Sequence, residues 1–562
     1  MWRWHSKFDR WFERLRETYK HALEWTLDNR GLTITAFAIF VGLSLPLVFL
    51  IGRDFFPYVD SGQMRLHVYP PQGMRPEDAE QCFAAVEKEI RKVIPPDEVA
   101  LILDNIGLPN GGFNLAFSSD NAQSDSDGDI LIFLKPGKRK TQEYMRTLRA
   151  DLHDKFPSAT FFFTPANITN QILDFGLPAP IDLQVVGRGQ NNYQLASQLL
   201  KEVQAIPGVA GAHIHQQIAQ PTLDVNVDRL KARQIGLTQQ DVAQSMLISL
   251  SGTAQTAPNE WLNYQNGVNY QVVVQTPTYR VDSLQSLART PITNPIGNAS
   301  QLLGNVANFQ RDITPVIIDH YDIQPTYDIY ADTDRRDLGG VSSAIHKIMD
   351  REESKLPTGT TLALRGEVET MTESFTRLGV GIIFAVVLVY LLMAINFQSW
   401  VDPLIILTAL PLAFAGVLWM LFLTGTTFSV PSMMGSIMTI GVATANSILM
   451  VVFANDERAN DKDSREAALN AGFTRLRPVC MTALAMIIGM LPMALALGEG
   501  GEQNAPLGRA VIGGLLFATV GTLFIVPIMY AWLRKKAPRN YDEEIDKAYQ
   551  EGAGQEGQPQ AA

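Results

Sequence analysis

Apolar and charged positions along this chain fall into two regimes. Asp, Glu, Lys and Arg vanish from five stretches: 22 residues at 31–52, 24 at 378–401, 53 at 403–455, 20 at 479–498 and 24 at 510–533. A helix needs roughly 20 apolar residues to cross the hydrocarbon core, so four of these stretches predict one span each. The longest predicts two, divided at the polar run 424–431. Six spans follow. Before the first, Trp4, Phe8, Trp11, Phe12, Leu15 and Tyr19 recur at helical spacing with Arg and Lys between them. That pattern predicts an amphipathic helix over 1–30 lying on the inner membrane surface, with a soluble helix packed on a partner as the alternative.

Between the first two spans, 53–377 alternates between the period of strands and that of helices. Strands are expected at 64–69, 99–106, 129–134 and 159–164, with helices at 77–94 and 142–155. The order β-α-β-β-α-β is the split, ferredoxin-like unit. A second copy has strands at 181–186, 208–214, 326–331 and 361–364 and helices at 193–206 and 338–355. It is interrupted by an insertion with its own strands (222–227, 269–275) and a helix at 239–250. The fold class is therefore an α+β membrane protein: six transmembrane helices, two ferredoxin-like units and an inserted subdomain. The boundaries read as 1–30 for the surface helix, 31–52 for the first span and 53–165 for the first unit. The second unit takes 166–219 and 320–377, the insertion 220–319, spans two to six 378–533, and a disordered cytoplasmic tail 534–562. A loop at 108–128 interrupts the first unit. Its Ser/Asp-rich end lacks calcium-loop spacing and reads as a solvated linker.

Charge then orients the spans. Lys and Arg cluster in the N-terminal 30 residues, in 456–478 and at 534–536, whereas the opposite short loops hold only Arg509. Positive residues stay inside, so both ends are expected in the cytoplasm and 53–377 outside it. The net charge of −11, with no basic aromatic face, excludes nucleic acid as a partner. Cys82 and Cys480 fall in different compartments on this topology and form no disulfide framework. HExxH, GxSxG and a phosphate-binding glycine loop are all missing, so nothing points to an enzyme or a cofactor.

The chain resembles the resistance–nodulation–division (RND) permeases across most of its length. The resemblance is carried by Phe56-Pro57, Asp60-Ser61-Gly62, Asp228-Arg229-Leu230-Lys231-Ala232 and Gly236-Leu237-Thr238. In the spans it is carried by 441–449 (Gly-Val-Ala-Thr-Ala-Asn-Ser-Ile-Leu), Arg475-Leu476-Arg477-Pro478, 481–485 (Met-Thr-Ala-Leu-Ala) and Met490-Leu491-Pro492. The order of subdomains is similar to the C-terminal half of that family's twelve-span plan. The resemblance implies two porter subdomains, a docking insertion, a trimeric inner-membrane assembly with its large domain in the periplasm, and a periplasmic adaptor and outer-membrane channel as partners. It also implies a complementary N-terminal half carrying the proton-binding carboxylates.

Buried ionisable side chains within spans are the usual carriers of coupled protons, and none stands inside these six; Asp402, Arg475 and Arg477 sit at ends. The family's lysine position is occupied by Ala445, while Asn446 is retained. Asn446, Thr482 and Arg475 form the expected proton-relay neighbourhood, against the alternatives of helix–helix glue for the first two and a cytoplasmic anchor for Arg475. Phe113 and Phe117 are the substrate-cleft candidates, in the loop that matches the family's switch loop. His213 and His215 share a strand face but lack a third ligand, so they read as an ordinary exposed pair and no metal site is assigned. Heavy-metal exporters of the family use methionines in the outer cleft. Only Met145 lies between 93 and 192, which disfavours a metal cargo. The reading is half of a proton-driven exporter of small organic, amphiphilic compounds; the alternative is an inactive split or truncated permease fragment, or a scaffold subunit.

Overall fold

The computed structural model describes residues 2–108, 122–135, 141–167, 171–172, 177–254, 256–294, 300–459, 462–498 and 500–535. Among the described residues, six helices are long and apolar enough to cross a membrane: Arg30–Leu50, Glu367–Phe397, Val401–Leu423, Val430–Ala459, Ser464–Ala494 and Ala505–Leu533. We call them spans one to six. The second begins directly after a strand, so its first three turns precede the uncharged stretch. Pro478 and Pro492 lie inside the fifth. The sixth contains a π-helical segment at Gly521–Ile525. Where the third and sixth cross, a Cβ on Gly513 would lie 2.2 Å from Met420 Cβ, so only glycine permits that approach.

Preceding the spans, the helix Trp2–Asp28 turns Tyr19, Leu23 and Leu27 into the bundle, against Ala471, Leu476, Leu523 and Val526. The Tyr19 hydroxyl donates to the Leu523 carbonyl at 2.7 Å, inside the π-helical segment. Trp11 and Trp25 are both 56% exposed. The amphipathic pattern is therefore shared between a packed stripe and an open one.

Between spans one and two, strands β1 (Gln63–Tyr69), β2 (Val99–Ile106), β3 (Gly128–Leu134) and β4 (Thr160–Thr164) form an antiparallel sheet in the order β2-β3-β1-β4. The helices Pro76–Val93 and Thr141–Lys155 cover one face, packing Phe83, Val86, Ile90, Leu148 and Leu152 on Met64, Leu66 and Val68. Because side chains alternate along a strand, the other face of β1 carries Arg65, His67 and Tyr69. The second sheet repeats the plan with β5 (Ile181–Gly187), β6 (Val209–Ile214), β14 (Gln324–Thr333) and β15 (Thr360–Gly366). Its helices are Asn192–Gln204 and Leu338–Glu353. β14 pairs with β5 and β6, β15 pairs with β5, and a short β13 (Asp319–Tyr321) adds to β14, all antiparallel. Ile181, Leu183 and Val185 face the helices; Asp182 and Gln184 face away.

A second compact unit comprises Pro71–Arg75 and Gln216–Ile318. β7 (Gln220–Val227) pairs along its length with β12 (Ala307–Thr314), and β8 (Glu260–Asn263) with β9 (Val268–Gln271); β10 (Pro291–Thr293) pairs with β11 (Ser300–Leu302). Its core is Ala232, Leu237, Val242, Leu287, Ile292, Leu303 and Val306. Two of the quoted motifs serve local folding here. Asp228 caps the helix Arg229–Gln234 by accepting from Leu230 and Lys231, and Thr238 forms a capping box with Asp241. The inclusion of Pro71–Arg75 was invisible in the periodicity.

Candidate functional site

The fourth and fifth spans bring Asn446 and Thr482 together. Thr482 Oγ1 donates to Asn446 Oδ1 at 3.3 Å and to the Val479 carbonyl at 3.0 Å. Asn446 is buried and Thr482 exposed, beside Gly441 and Ala445 on an open side of the bundle. Arg475 stands apart. It precedes Thr482 by seven residues, about 10 Å along a helix. Its guanidinium carbon lies 5.1 Å from the Phe453 ring centre, and its buried Nε has no hydrogen-bond partner among the described residues. Two of the three expected relay residues therefore meet and the third does not.

Asp402 departs from the expectation of an ordinary span-end charge. It is 1% exposed in the first turn of span three. Arg534 Nε lies 3.4 Å from its Oδ1, and Asn455 donates to its Oδ2 at 3.4 Å. Tyr530 in turn donates to Asn455 at 2.7 Å. The bundle thus does bury an ionisable side chain, which charge-free stretches could not reveal because it stands one residue outside one.

Where the helix-free faces of the two sheets meet, ionisable groups are packed densely. Asp129 accepts from Arg65 at 2.7 Å and lies 2.7 Å from His67 Nδ1; His67 is fully buried. A carboxylate can only accept, so His67 Nδ1 carries the proton. Burial raises the Asp129 pKa, but the hydrogen bond and charge of His67 and the charge of Arg65 outweigh it and hold the group at about 2. Phe162 stacks on His213 with ring centres 3.7 Å apart, and Gln123 donates to the His215 carbonyl at 2.6 Å. Burial pushes His213 down to about 3, so it is neutral at pH 7. On the same face Asp182 is pushed up by burial and then by Asp328.

These positions correct two expectations. His213 and His215 are buried, not exposed. The described part of the Ser/Asp-rich stretch, 122–128, is not a solvated linker: Gln123, Ser126 and Asp127 are buried, with Asp127 accepting from the Gln123 and Ser124 amides, both at 2.9 Å; 118–121 lie outside the described residues. Phe113 and Phe117 lie outside the described residues. Among the described residues no group of three or more His, Cys, Asp or Glu could hold a metal ion.

A cavity of about 550 Å³ opens near this junction. Phe55, Phe56, Met64, Met145 and Phe163 give it apolar walls, and Asp54, Arg146, Asp332, Arg336 and Glu367 give it charge. Arg146–Asp334 at 2.5 Å and Arg149–Asp332 at 2.7 Å tie the two sheet units together beside it.

The AcrB/AcrD/AcrF family model matches residues 2–534. The chain belongs to that family, the RND efflux permeases. It is 26% identical over 532 residues to the cation efflux system protein CzcA of Alcaligenes sp. (strain CT14), covering 93% of this chain and 49% of that protein. The cobalt-zinc-cadmium resistance protein CzcA of Cupriavidus metallidurans matches to the same extent. The swarming motility protein SwrC of Bacillus subtilis is 28% identical, covering 94% of this chain and 48% of SwrC. The chain spans about half the length of these curated relatives. Crystal form I of a heavy metal efflux pump superposes with a TM-score of 0.75 at 26% identity, over 93% of this chain and 52% of the pump. Crystal form II gives 0.74 at 24% identity with the same coverage. An organic cargo draws no support from the metal-exporter names among these relatives.

Proposed function

We propose that this permease chain contributes six spans to a proton-driven exporter and works with a complementary six-span portion that supplies the coupling carboxylates. The observation that carries this reading is the family match over residues 2–534, in a chain that covers only 49% of the CzcA relatives. The clustered Lys and Arg residues support an orientation with both ends cytoplasmic and the sheet units in the periplasm. In that arrangement the two units act as porter subdomains and the insertion as a docking subdomain. By family resemblance, the partners are two further copies in a trimer, a periplasmic adaptor and an outer-membrane channel.

Asn446 and Thr482 then offer neutral hydrogen bonds to the partner's carboxylates. An opposite charge within about 4–6 Å lowers a carboxylate pKa by about 1–3 units, and Ala445 supplies none. Coupling in this reading rests on hydrogen bonding, with Arg475 helping only after a movement that brings it closer. The amphipathic cavity supports a small organic cargo with both apolar and charged parts. A metal cation is the second reading, favoured by the names of two relatives and by Met64 and Met145 lining one cavity.

Proteoliposomes test the proposal. A pH gradient should drive export of a cationic amphiphilic dye when the complementary portion is present, and not with this chain alone. Asn446→Leu and Thr482→Val should each sharply reduce that export while insertion is retained. Robust export by the chain alone would overturn the reading, and Zn²⁺ export without dye export would select the second one.

A further inference from the structure

The segment leaving span one is stitched on two sides. On one side it runs parallel to the turn that opens span four. Phe428 N–H donates to the Gly52 carbonyl at 2.7 Å, Asp54 N–H to the Phe428 carbonyl at 3.1 Å, and Val430 N–H to the Phe55 carbonyl at 3.1 Å. On the other side it meets the start of the helix Leu338–Glu353 in the second sheet unit. Asp54 Oδ1 accepts from the Leu338 amide at 2.7 Å, and Gly339 N–H donates to the Arg53 carbonyl at 2.8 Å. Asp337 closes the joint, accepting from the Arg53 amide at 2.9 Å and from the Gly340 amide at 2.8 Å.

Packing allows this joint little slack. A Cβ on Gly52 would lie 2.7 Å from Asp337 Cβ. Phe55 is buried in one cluster with Leu338, Val341, Val368, Met371 and Val430, joining the second unit to the starts of spans two and four. Asp54 is the side chain that bridges both halves of the joint, since its carboxylate also bonds Thr427 in the loop before span four. It lines the cavity as well.

We infer that Asp54 is a positioning residue that makes the start of span four and the helix Leu338–Glu353 move as one body. A displacement of the span carrying Asn446 is then delivered to the second sheet unit instead of being absorbed in the linker. Bistable packed elements transmit motion only if the connection between them does not yield first. What the motion serves rests on the permease reading above. The joint itself does not, and it can be tested without cargo or gradient.

Hydrogen–deuterium exchange of the full chain in nanodiscs is the experiment. The amides at 428 and 430 bond only backbone carbonyls of the linker, so Asp54→Ala removes none of their acceptors. If Asp54 holds the joint together, exchange should speed about tenfold in peptides covering both 337–341 and 427–431. The β5 and β14 amides should keep wild-type protection. Asp54→Asn retains an acceptor and should show a smaller acceleration, again in both segments; it is the deciding variant if the alanine protein loses β5 protection. Acceleration confined to 337–341 in the deciding variant would reduce Asp54 to a local helix cap and overturn the inference. Unchanged exchange in both segments would overturn it too.

Discussion

Polar groups are buried in two regions of this protein, by opposite rules. At the junction of the two sheets, Arg65, His67, Asp129 and Asp182 are all buried and ionisable, and the first three answer one another across strands. In the bundle the buried polar groups are mostly neutral and satisfy themselves locally. Ser436 donates to the Ser432 carbonyl and Thr439 to the Gly435 carbonyl, each at 2.9 Å, while Ser44 donates to Phe40 at 2.7 Å. Cross-helix bonds also join neutral groups: Tyr530 with Asn455 at 2.7 Å, Trp419 with Ser44 at 3.0 Å, Ser447 with Thr522 at 3.2 Å, and Thr482 with Asn446 at 3.3 Å. A helix surrounded by hydrocarbon has no water to bond, so Ser44, Ser436 and Thr439 each take the carbonyl one turn back. A sheet assembled in water can bury charges that pair across neighbouring strands, as Arg65 and His67 on β1 do with Asp129 on β3. The charged cluster therefore concentrates its contribution in few groups, whereas the bundle spreads it thinly.

That contrast can be broken in four ways. Asp129→Ala should cost most, roughly 3–5 kcal/mol, because it removes the buried carboxylate that both Arg65 and His67 face. Denaturant titration of the detergent-solubilised chain measures it, and a loss below about 1 kcal/mol would mean the junction is wet. Acidification acts through His213. Its folded pKa of about 3 lies below the unfolded value of about 6.5, so between those values the unfolded chain binds the extra proton. Stability is flat above pH 6.5 and lost as pH falls from there toward 3. From pH 7 to pH 5 the loss from this group should be about 2 kcal/mol. His213→Phe should remove that part of the slope in melting temperature against pH.

In the bundle, Gly513→Leu should cost about 1–3 kcal/mol by forcing spans three and six apart, read from thermal unfolding in detergent. Thr482→Val should cost only about 0.6 kcal/mol of stability, the usual value of one interhelical hydrogen bond. A larger stability loss would show that the pair fixes the bundle rather than serving transport.

Local pattern made much of this architecture legible. The strand expected at 99–106 is observed as Val99–Ile106, and the helix expected at 142–155 as Thr141–Lys155, because alternation and amphipathic stripes are written within a few turns. The spans were equally plain, since hydrocarbon demands runs without charge. What stayed hidden depends on partners far away in sequence. Gln123 and His215 are 92 residues apart, and nothing near either marks it as buried. Asp402 looked like a span-end charge because Arg534, its counterion, begins the tail that follows the last span. The Asn446–Thr482 contact was nameable only because the chain resembles a family, not from spacing.

One feature fixes an order of events in synthesis. Tyr19 bonds the carbonyl of Leu523, 504 residues later, at a widened turn where that carbonyl is available to an outside donor. Translation at about 5–20 residues per second places roughly 25–100 s between the two. Through that interval Tyr19, Leu23 and Leu27 have no finished groove to enter, and the leading helix must wait with its apolar stripe covered by lipid or chaperone. The helix Trp2–Asp28 therefore docks only after span six has been made, and its seating marks the arrival of that span.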